Sequence, residues 1–141
     1  MLFRSRMQAG AALAALLDEV DRTIEAALDD SELAAEAGTL RAAVRGLEAA
    51  TEAVSACADQ NLALANATPF LQAFGHVMVA WLWLDVGLVA GRAPPSPRTQ
   101  GLCQAMAYFY DFELPKIGAW LGPVEGRSPV CRQMQVEWFD A

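Results

Sequence analysis

The stretch that decides the fold is residues 67–90, which read ATPFLQAFGHVMVAWLWLDVGLVA. Thr68 and Pro69 are typical of a helix start, because proline at the first helical position gives up an N–H that would have no partner anyway. The run 70–90 is apolar almost all the way round a helix, with the length of a membrane span. Asp85 interrupts it, and a charge is costly deep in a bilayer. We therefore predict a buried central helix of a bundle and not a membrane span.

Amphipathic segments lie on either side of this helix. Apolar residues recur at steps of three and four over residues 4–28, 32–66 and from about 97–100 to 121, which is the pattern of helices with one core-facing side. Pro115 falls inside the last segment and should kink it. The sequence predicts an all-α fold, an antiparallel four-helix bundle with a kinked fourth helix.

Two glycines interrupt the second segment. Gly38 and Gly46 each cost about 1 kcal/mol relative to alanine inside a helix. Close approach of a neighbouring helix would explain both of them.

A short C-terminal arm is expected after the bundle. We assign residues 1–121 to the bundle and residues 122–141 to the arm, with Gly122 and Pro123 ending the fourth helix. The arm is expected to be a short helical or extended segment. Its aromatic end, Trp138-Phe139, calls for a partner surface in the same chain or in another.

Composition restricts the classes of function. Hydrophobic residues make up 55% of the chain and its formal net charge is −7, which argues against disorder and against nucleic-acid binding. The three cysteines, Cys57, Cys103 and Cys131, form no C-x-x-C pair and suggest reduced thiols in a cytosolic protein.

No complete catalytic motif is visible. A di-iron bundle needs two Glu-x-x-His motifs, but His76 is the only histidine, and neither a Gly-x-Ser-x-Gly elbow nor a glycine-rich phosphate loop is present. We interpret His76 as a buried histidine satisfied by a helix neighbour, such as Gln72, or by a backbone carbonyl. Asp85 is expected to pair with Arg41 or Arg45.

An aromatic set is expected to lie in the core, because aromatic side chains dominate core burial. A cleft for a small hydrophobic ligand is the alternative. The set consists of Trp81, Trp83, Tyr108, Phe109, Tyr110 and Phe112.

Two segments resemble a known family. Residues 65–77 (ANATPFLQAFGHV) followed by 80–83 (AWLW), and residues 107–110 (AYFY) with Leu114-Pro115, are similar to the extra C-terminal helical domain of acyl-CoA dehydrogenase-like flavoproteins. This is the acetyl-CoA-dehydrogenase-like C-terminal domain of the branch that resembles 3-methylmercaptopropionyl-CoA dehydrogenase. The resemblance covers roughly residues 9–121, and the tail after Gly122 departs from its pattern.

The resemblance implies an accessory role. In such enzymes, which are oxidoreductases acting on CH–CH bonds in fatty acid metabolism, the FAD, the acyl-CoA and the catalytic glutamate belong to the preceding core domains. We therefore expect no catalytic, cofactor-binding or metal-binding residue in this chain. The motif positions are expected to be structural: Pro69, Phe70, Leu71, Phe74, Gly75, Leu114 and Pro115.

The resemblance also implies partners. The expected ones are acyl-CoA dehydrogenase core domains or another subunit, in a cytoplasmic oligomer, with this chain a C-terminal fragment or a product split from its catalytic part. The alternative function is a free-standing helical interaction module that self-associates or binds a partner helix.

Overall fold

The computed structural model describes residues 2–139, with side-chain surroundings for residues 11–139. Within that part of the chain every regular element is helical, so the predicted all-α class is confirmed. The elements are α1 (Leu2–Leu28), α2 (Ala34–Ser55), α3 (Gln60–Leu64), α4 (Ala67–Arg92), α5 (Pro97–Tyr108), a π-helical segment (Phe109–Glu113), a 3₁₀ turn (Leu114–Lys116), α6 (Ile117–Glu125), α7 (Val130–Gln133) and a final 3₁₀ turn (Val136–Phe139).

The core lies where α4 meets its neighbours. Helix α4 contacts α1, α2, α5 and α6, and α2 also packs on α1 and α6. The largest fully buried side chains come from α1, α2, α4, α6 and the 3₁₀ turn: Val20, Ile24, Leu40, Leu47, Val77, Leu84, Leu114 and Val124. Burial of this apolar surface is the main stabilising contribution to the fold.

Helix α4 is central, yet one of its sides faces solvent. Leu71, Leu82 and Val89 are 64%, 55% and 61% exposed, so the prediction of a buried central helix is wrong for this side. By length and composition alone, the helix could cross a membrane, and 39% of its most apolar 18-residue stretch is buried inside the protein. Core helices of soluble proteins pass the same test, and α4 packs against four other helices of this chain.

The predicted second helix, residues 32–66, is broken in the structure. Helix α2 ends at Ser55, and the short helix α3 begins after Asp59. The Asp59 carboxylate accepts hydrogen bonds from the N–H groups of Asn61 (3.0 Å) and Leu62 (3.3 Å). This is an N-cap, which starts a new helix and so ends the continuity that the apolar spacing suggested.

The predicted fourth helix follows one path whose hydrogen bonding changes twice. Pro115 lacks an N–H and cannot continue an α-helical ladder. The chain widens into the π-helical segment, where the Leu114 N–H bonds to the Phe109 carbonyl, and then tightens into the 3₁₀ turn. At the position of the expected proline kink, the structure therefore has a change of helix type.

Helix α6 also runs past the predicted stop at Gly122-Pro123 and ends at Glu125. Its end is a Schellman motif, in which Ser128 N–H bonds to Pro123 O (2.9 Å) and Arg127 N–H to Val124 O (3.0 Å). Arg127 occupies the left-handed position, with φ of 49°. Glycine usually takes this position because other L-residues are strained there.

The glycines of the helices differ in their surroundings. A Cβ added to Gly46 would lie 3.2 Å from Leu121 Cδ1, whereas one added to Gly38 would meet no atom within 4 Å. Close helix approach is thus confirmed for Gly46 and wrong for Gly38. The closest approach is at Gly87 in α4, where a Cβ would lie 2.8 Å from Met106 Sδ and 3.2 Å from Leu33 Cδ2.

The C-terminal arm is attached to the bundle at its root. Asn66, a buried polar residue, donates from Nδ2 to the Ser128 carbonyl (2.9 Å), and Arg132 forms an ion pair with Asp59. Beyond this root the side chains are exposed, including Trp138 (64%) and Phe139 (70%). The division into residues 1–121 and 122–141 stays a prediction.

Candidate functional site

The predicted structural motif is split between core and surface. Leu114 is 2% exposed, and Phe70 and Phe74 pack against the core as half-buried side chains. Leu71 faces solvent, and Pro115 is exposed within the 3₁₀ turn. Pro69 and Gly75 are half-buried on α4. The structural role of the motif as a whole stays a prediction.

His76 sits at the junction of α4, the π-helical segment and α6. Its Nδ1 lies 3.1 Å from the Gln72 carbonyl oxygen, so Nδ1 carries the hydrogen because a carbonyl can only accept. Its ring meets Trp120 edge-on at 4.6 Å between centroids and lies 5.9 Å from Phe109. The predicted carbonyl partner is present, but the side chain is 28% exposed and not buried.

Glu113 links this histidine to the 3₁₀ turn. Its Oε2 lies 3.8 Å from His76 Nε2 and accepts a hydrogen bond from Lys116 Nζ at 2.6 Å. That bond, together with the charge of Lys116, lowers the pKa of Glu113. Glu113 and Lys116 thus form a surface ion pair that joins the π-helical segment to the 3₁₀ turn.

Tyr110 anchors the π-helical segment to the middle of α4. Its hydroxyl donates to the Ala80 carbonyl at 3.0 Å, and its side chain is 6% exposed. Burial, with the nearby negative charge of Glu36, raises the pKa of Tyr110 above its ordinary value. The Glu36 Oε2 atom itself is buried and has no hydrogen-bond partner among residues 11–139.

The charged pairs differ from those expected. Arg41 pairs with Glu25 of α1, and Asp85 makes no ion pair among the side chains that the structure describes. The predicted pairing of Asp85 with Arg41 or Arg45 is therefore wrong. Asp85 points to solvent at the edge of the exposed side of α4.

The aromatic set is only partly in the core. Trp81, Trp83 and Phe109 pack against it as half-buried side chains, Tyr110 is buried, and Trp81 Nε1 donates to Thr23 Oγ1 at 2.8 Å. The other two members, Tyr108 and Phe112, are 55% and 61% exposed and stack on each other at 4.9 Å.

Two open depressions border α5. One of about 550 Å³ lies between Trp83, Tyr108 and Phe109, and one of about 530 Å³ lies between Glu36 and Cys103. Both are wide open and not enclosed pockets. Across residues 11–139 no three His, Cys, Asp or Glu side chains are grouped to hold a metal ion, and the three cysteines are unpaired.

Residues 16–135 match the family described as acetyl-CoA dehydrogenase C-terminal like. This chain belongs to that family. The match covers α2 to α7 and residues 16–28 of α1, so it includes the root of the arm that the sequence resemblance left out. Comparison with curated proteins and with solved structures finds no match.

The sequence missed what depends on tertiary neighbours. Pro115 signalled a change in the fourth helix, but not that a π-helical segment would result. The approach of Glu113 to His76 has no local signal, since the two residues lie on different elements. The exposed side of α4 was hidden because its residues are as apolar as those of the core.

Proposed function

We propose that this chain is the accessory C-terminal helical domain of an FAD-dependent acyl-CoA dehydrogenase, with a role in structure and assembly and no catalysis of its own. The family match over residues 16–135 carries the proposal. FAD and acyl-CoA would bind in the core domains of that enzyme, in the cytoplasm.

The exposed arm supplies a surface for docking on such a core. Val136, Trp138 and Phe139 are 76%, 64% and 70% exposed, and large aromatic side chains of this kind are enriched in protein interfaces. Because the root of the arm is held by Asn66 and Asp59, its apolar end is presented from a fixed point of the bundle.

The test is reconstitution with the acyl-CoA dehydrogenase core encoded in the same reading frame or in a neighbouring gene. We expect this chain to bind the core and to raise its melting temperature and FAD retention. Trp138→Ala with Phe139→Ala should weaken that binding at least 10-fold, while Val89→Ser, on a different surface, should leave it unchanged.

Two results would contradict the proposal. One is the absence of any complex with the core. The other is a yellow purified chain that retains FAD by itself, which would place the flavin site in this domain.

A free-standing interaction module is the second candidate. The observation that favours it is the solvent-facing apolar side of α4, since large exposed apolar patches on soluble proteins mark interaction sites. The neighbouring genome sequence separates the two candidates. If no dehydrogenase core is encoded upstream in the same frame, and no such core binds this chain, the interaction module is the candidate that remains.

A further inference from the structure

The open depression of about 550 Å³ beside α5, here called the Trp83 depression, has aromatic walls and small residues between them. Along α5 it is lined by Gly101, Gln104, Ala105 and Tyr108, whose steps of three, one and three residues keep them on one side of the helix. Gly101 and Ala105 have little or no side chain. They therefore leave room between Trp83 of α4 and Tyr108.

The π-helical segment brings a carboxylate to this depression. In an α-helix the residues that share a side are three and four apart, so Glu113 would turn away from Tyr108, five residues earlier. In the π-helical segment the Leu114 N–H bonds to the Phe109 carbonyl, and this i→i+5 pattern widens the turn. Glu113 thereby joins Tyr108 and Phe109 in the lining of the depression. π-Helical turns inside α-helices are frequent at functional sites.

One oxygen of the Glu113 carboxylate is available to a ligand. Its Oε2 accepts the hydrogen bond from Lys116 Nζ at 2.6 Å and lies 3.8 Å from His76 Nε2. No group among residues 11–139 donates to Oε1. Because the bond to Lys116 lowers the pKa of Glu113, the carboxylate is ionised at neutral pH. It is therefore charged and held in place, with one acceptor oxygen to spare.

We propose that the Trp83 depression binds the guanidinium group of an arginine side chain from a partner protein. The planar cation stacks on the Tyr108 ring and donates to Glu113 Oε1 and to the side-chain oxygen of Gln104. Guanidinium suits both contacts, because it is flat, weakly hydrated and carries several donors in one plane, whereas the lysine ammonium is compact and strongly hydrated.

The Tyr108 ring is prepared for such a contact. Phe112 stacks on it with 4.9 Å between ring centroids, and Tyr108 is still 55% exposed. The stack covers one face of the ring and fixes its orientation, and the other face is open to a cation. A ring that is already held in place loses less conformational entropy on binding.

Charge and shape both favour an arginine presented by a protein. None of the described residues that line the depression is basic, Lys116 is bound to the other carboxylate oxygen, and the formal net charge of the chain is −7. The depression is wide open, as a surface that receives a protruding side chain must be. Arginine is enriched in protein interfaces and among the residues that dominate their binding energy.

This site goes beyond the proposed function, because the arginine can belong to any partner protein. It is tested on the 141-residue chain with no dehydrogenase core present. Each proposal can therefore fail while the other holds.

The first experiment is an NMR titration with N-acetyl-arginine amide at constant ionic strength, followed at the indole N–H of Trp83. We expect a saturable shift with a Kd in the millimolar range. N-acetyl-citrulline amide has the same planar shape without the charge, and N-acetyl-lysine amide has the charge without the plane. Both should bind more weakly, the citrulline compound by about 10-fold, because hydrogen bonds to charged groups are worth at least that factor.

The second experiment fills the depression. A Cβ at Gly101 would meet no atom within 4 Å, and the same holds for Gly38 on α2. Gly101→Leu should therefore fold, occupy the depression and abolish the saturable shift, whereas Gly38→Leu is the matched control and should bind as the starting protein does.

The third experiment removes the charge of the site. Glu113→Gln should weaken binding by about 10-fold, and Glu48→Gln, at an exposed position on α2, should leave it unchanged. Circular dichroism checks that every variant folds.

Several outcomes overturn the proposal. They are the absence of a saturable shift at about 100 mM arginine amide, where a millimolar site is filled, and equal binding of the citrulline or lysine compound. Binding that survives Gly101→Leu, or that Gly38→Leu abolishes, would also place the cation elsewhere on the chain.

Discussion

The close packing at Gly87 gives a sharp test of the helix contacts. An alanine Cβ there would lie 2.8 Å from Met106 Sδ and 3.2 Å from Leu33 Cδ2, where ordinary contacts are about 3.5–4.0 Å. Met106 and Leu33 are 4% and 5% exposed, so moving either side chain away from the new Cβ disturbs buried packing. Gly87→Ala should therefore overpack the junction of α2, α4 and α5.

The expected change in stability is the difference of two effects. Overpacking costs about 1–3 kcal/mol, and the better helix propensity of alanine returns up to about 1 kcal/mol. We expect Gly87→Ala to lower the free energy of unfolding by about 1 kcal/mol, the middle of the range of about 0–2 kcal/mol that these two effects give. Gly38→Ala, in open space on α2, gains propensity without a clash and should raise it by up to about 1 kcal/mol.

Urea unfolding followed by circular dichroism measures both variants. Shortening the neighbour supplies a further check: in a double-mutant cycle, Met106→Ala should cost less in the Gly87→Ala background than alone. The reasoning is refuted if Gly87→Ala is as stable as the starting protein, or if it changes stability as Gly38→Ala does.

Three further predictions concern single side chains. Tyr110→Phe should lower the free energy of unfolding by about 0.5–1.5 kcal/mol through the lost hydrogen bond to Ala80. Because the pKa of Tyr110 is raised in the folded protein, its contribution is present below the unfolded pKa of about 10 and is lost at higher pH. In thermal melts, the melting temperature of the variant should therefore fall less steeply as the pH rises in alkali. Because the pKa of Glu113 is lowered by Lys116, the stability that this ion pair contributes is present above about pH 4.3 and is lost as the pH falls through the folded pKa. Glu113→Gln should therefore make the melting temperature depend less on pH in acid. An unchanged profile would argue against a stabilising Glu113–Lys116 pair. Arg127→Gly should raise the free energy of unfolding by about 0.5–1 kcal/mol in urea titrations by relieving the left-handed strain, whereas a loss would mean that the arginine side chain matters more than its backbone.

The class of fold was readable from the sequence because periodicity reports which side of a helix is buried. It located α1, α4 and the start of α5, where apolar spacing and proline agree. It failed between residues 56 and 66, because the apolar spacing continues while a local side-chain bond from Asp59 restarts the helix. The capping power of one carboxylate outweighed the pattern.

The candidate surfaces were harder to predict. In α4 the buried Val77 and Leu84 and the exposed Leu82 and Val89 are the same kinds of residue. Hydrophobicity cannot separate a side that packs inside the chain from one that faces solvent. Only the positions of α1, α2, α5 and α6 around the helix make that distinction.

The Asn66–Ser128 hydrogen bond has a consequence for the geometry of a larger assembly. It makes the arm leave the bundle at the start of α4. A dehydrogenase core held by this arm would therefore lie at that end of the helix, and the opposite end of α4, at Arg92, would be about 39 Å away along the helix axis.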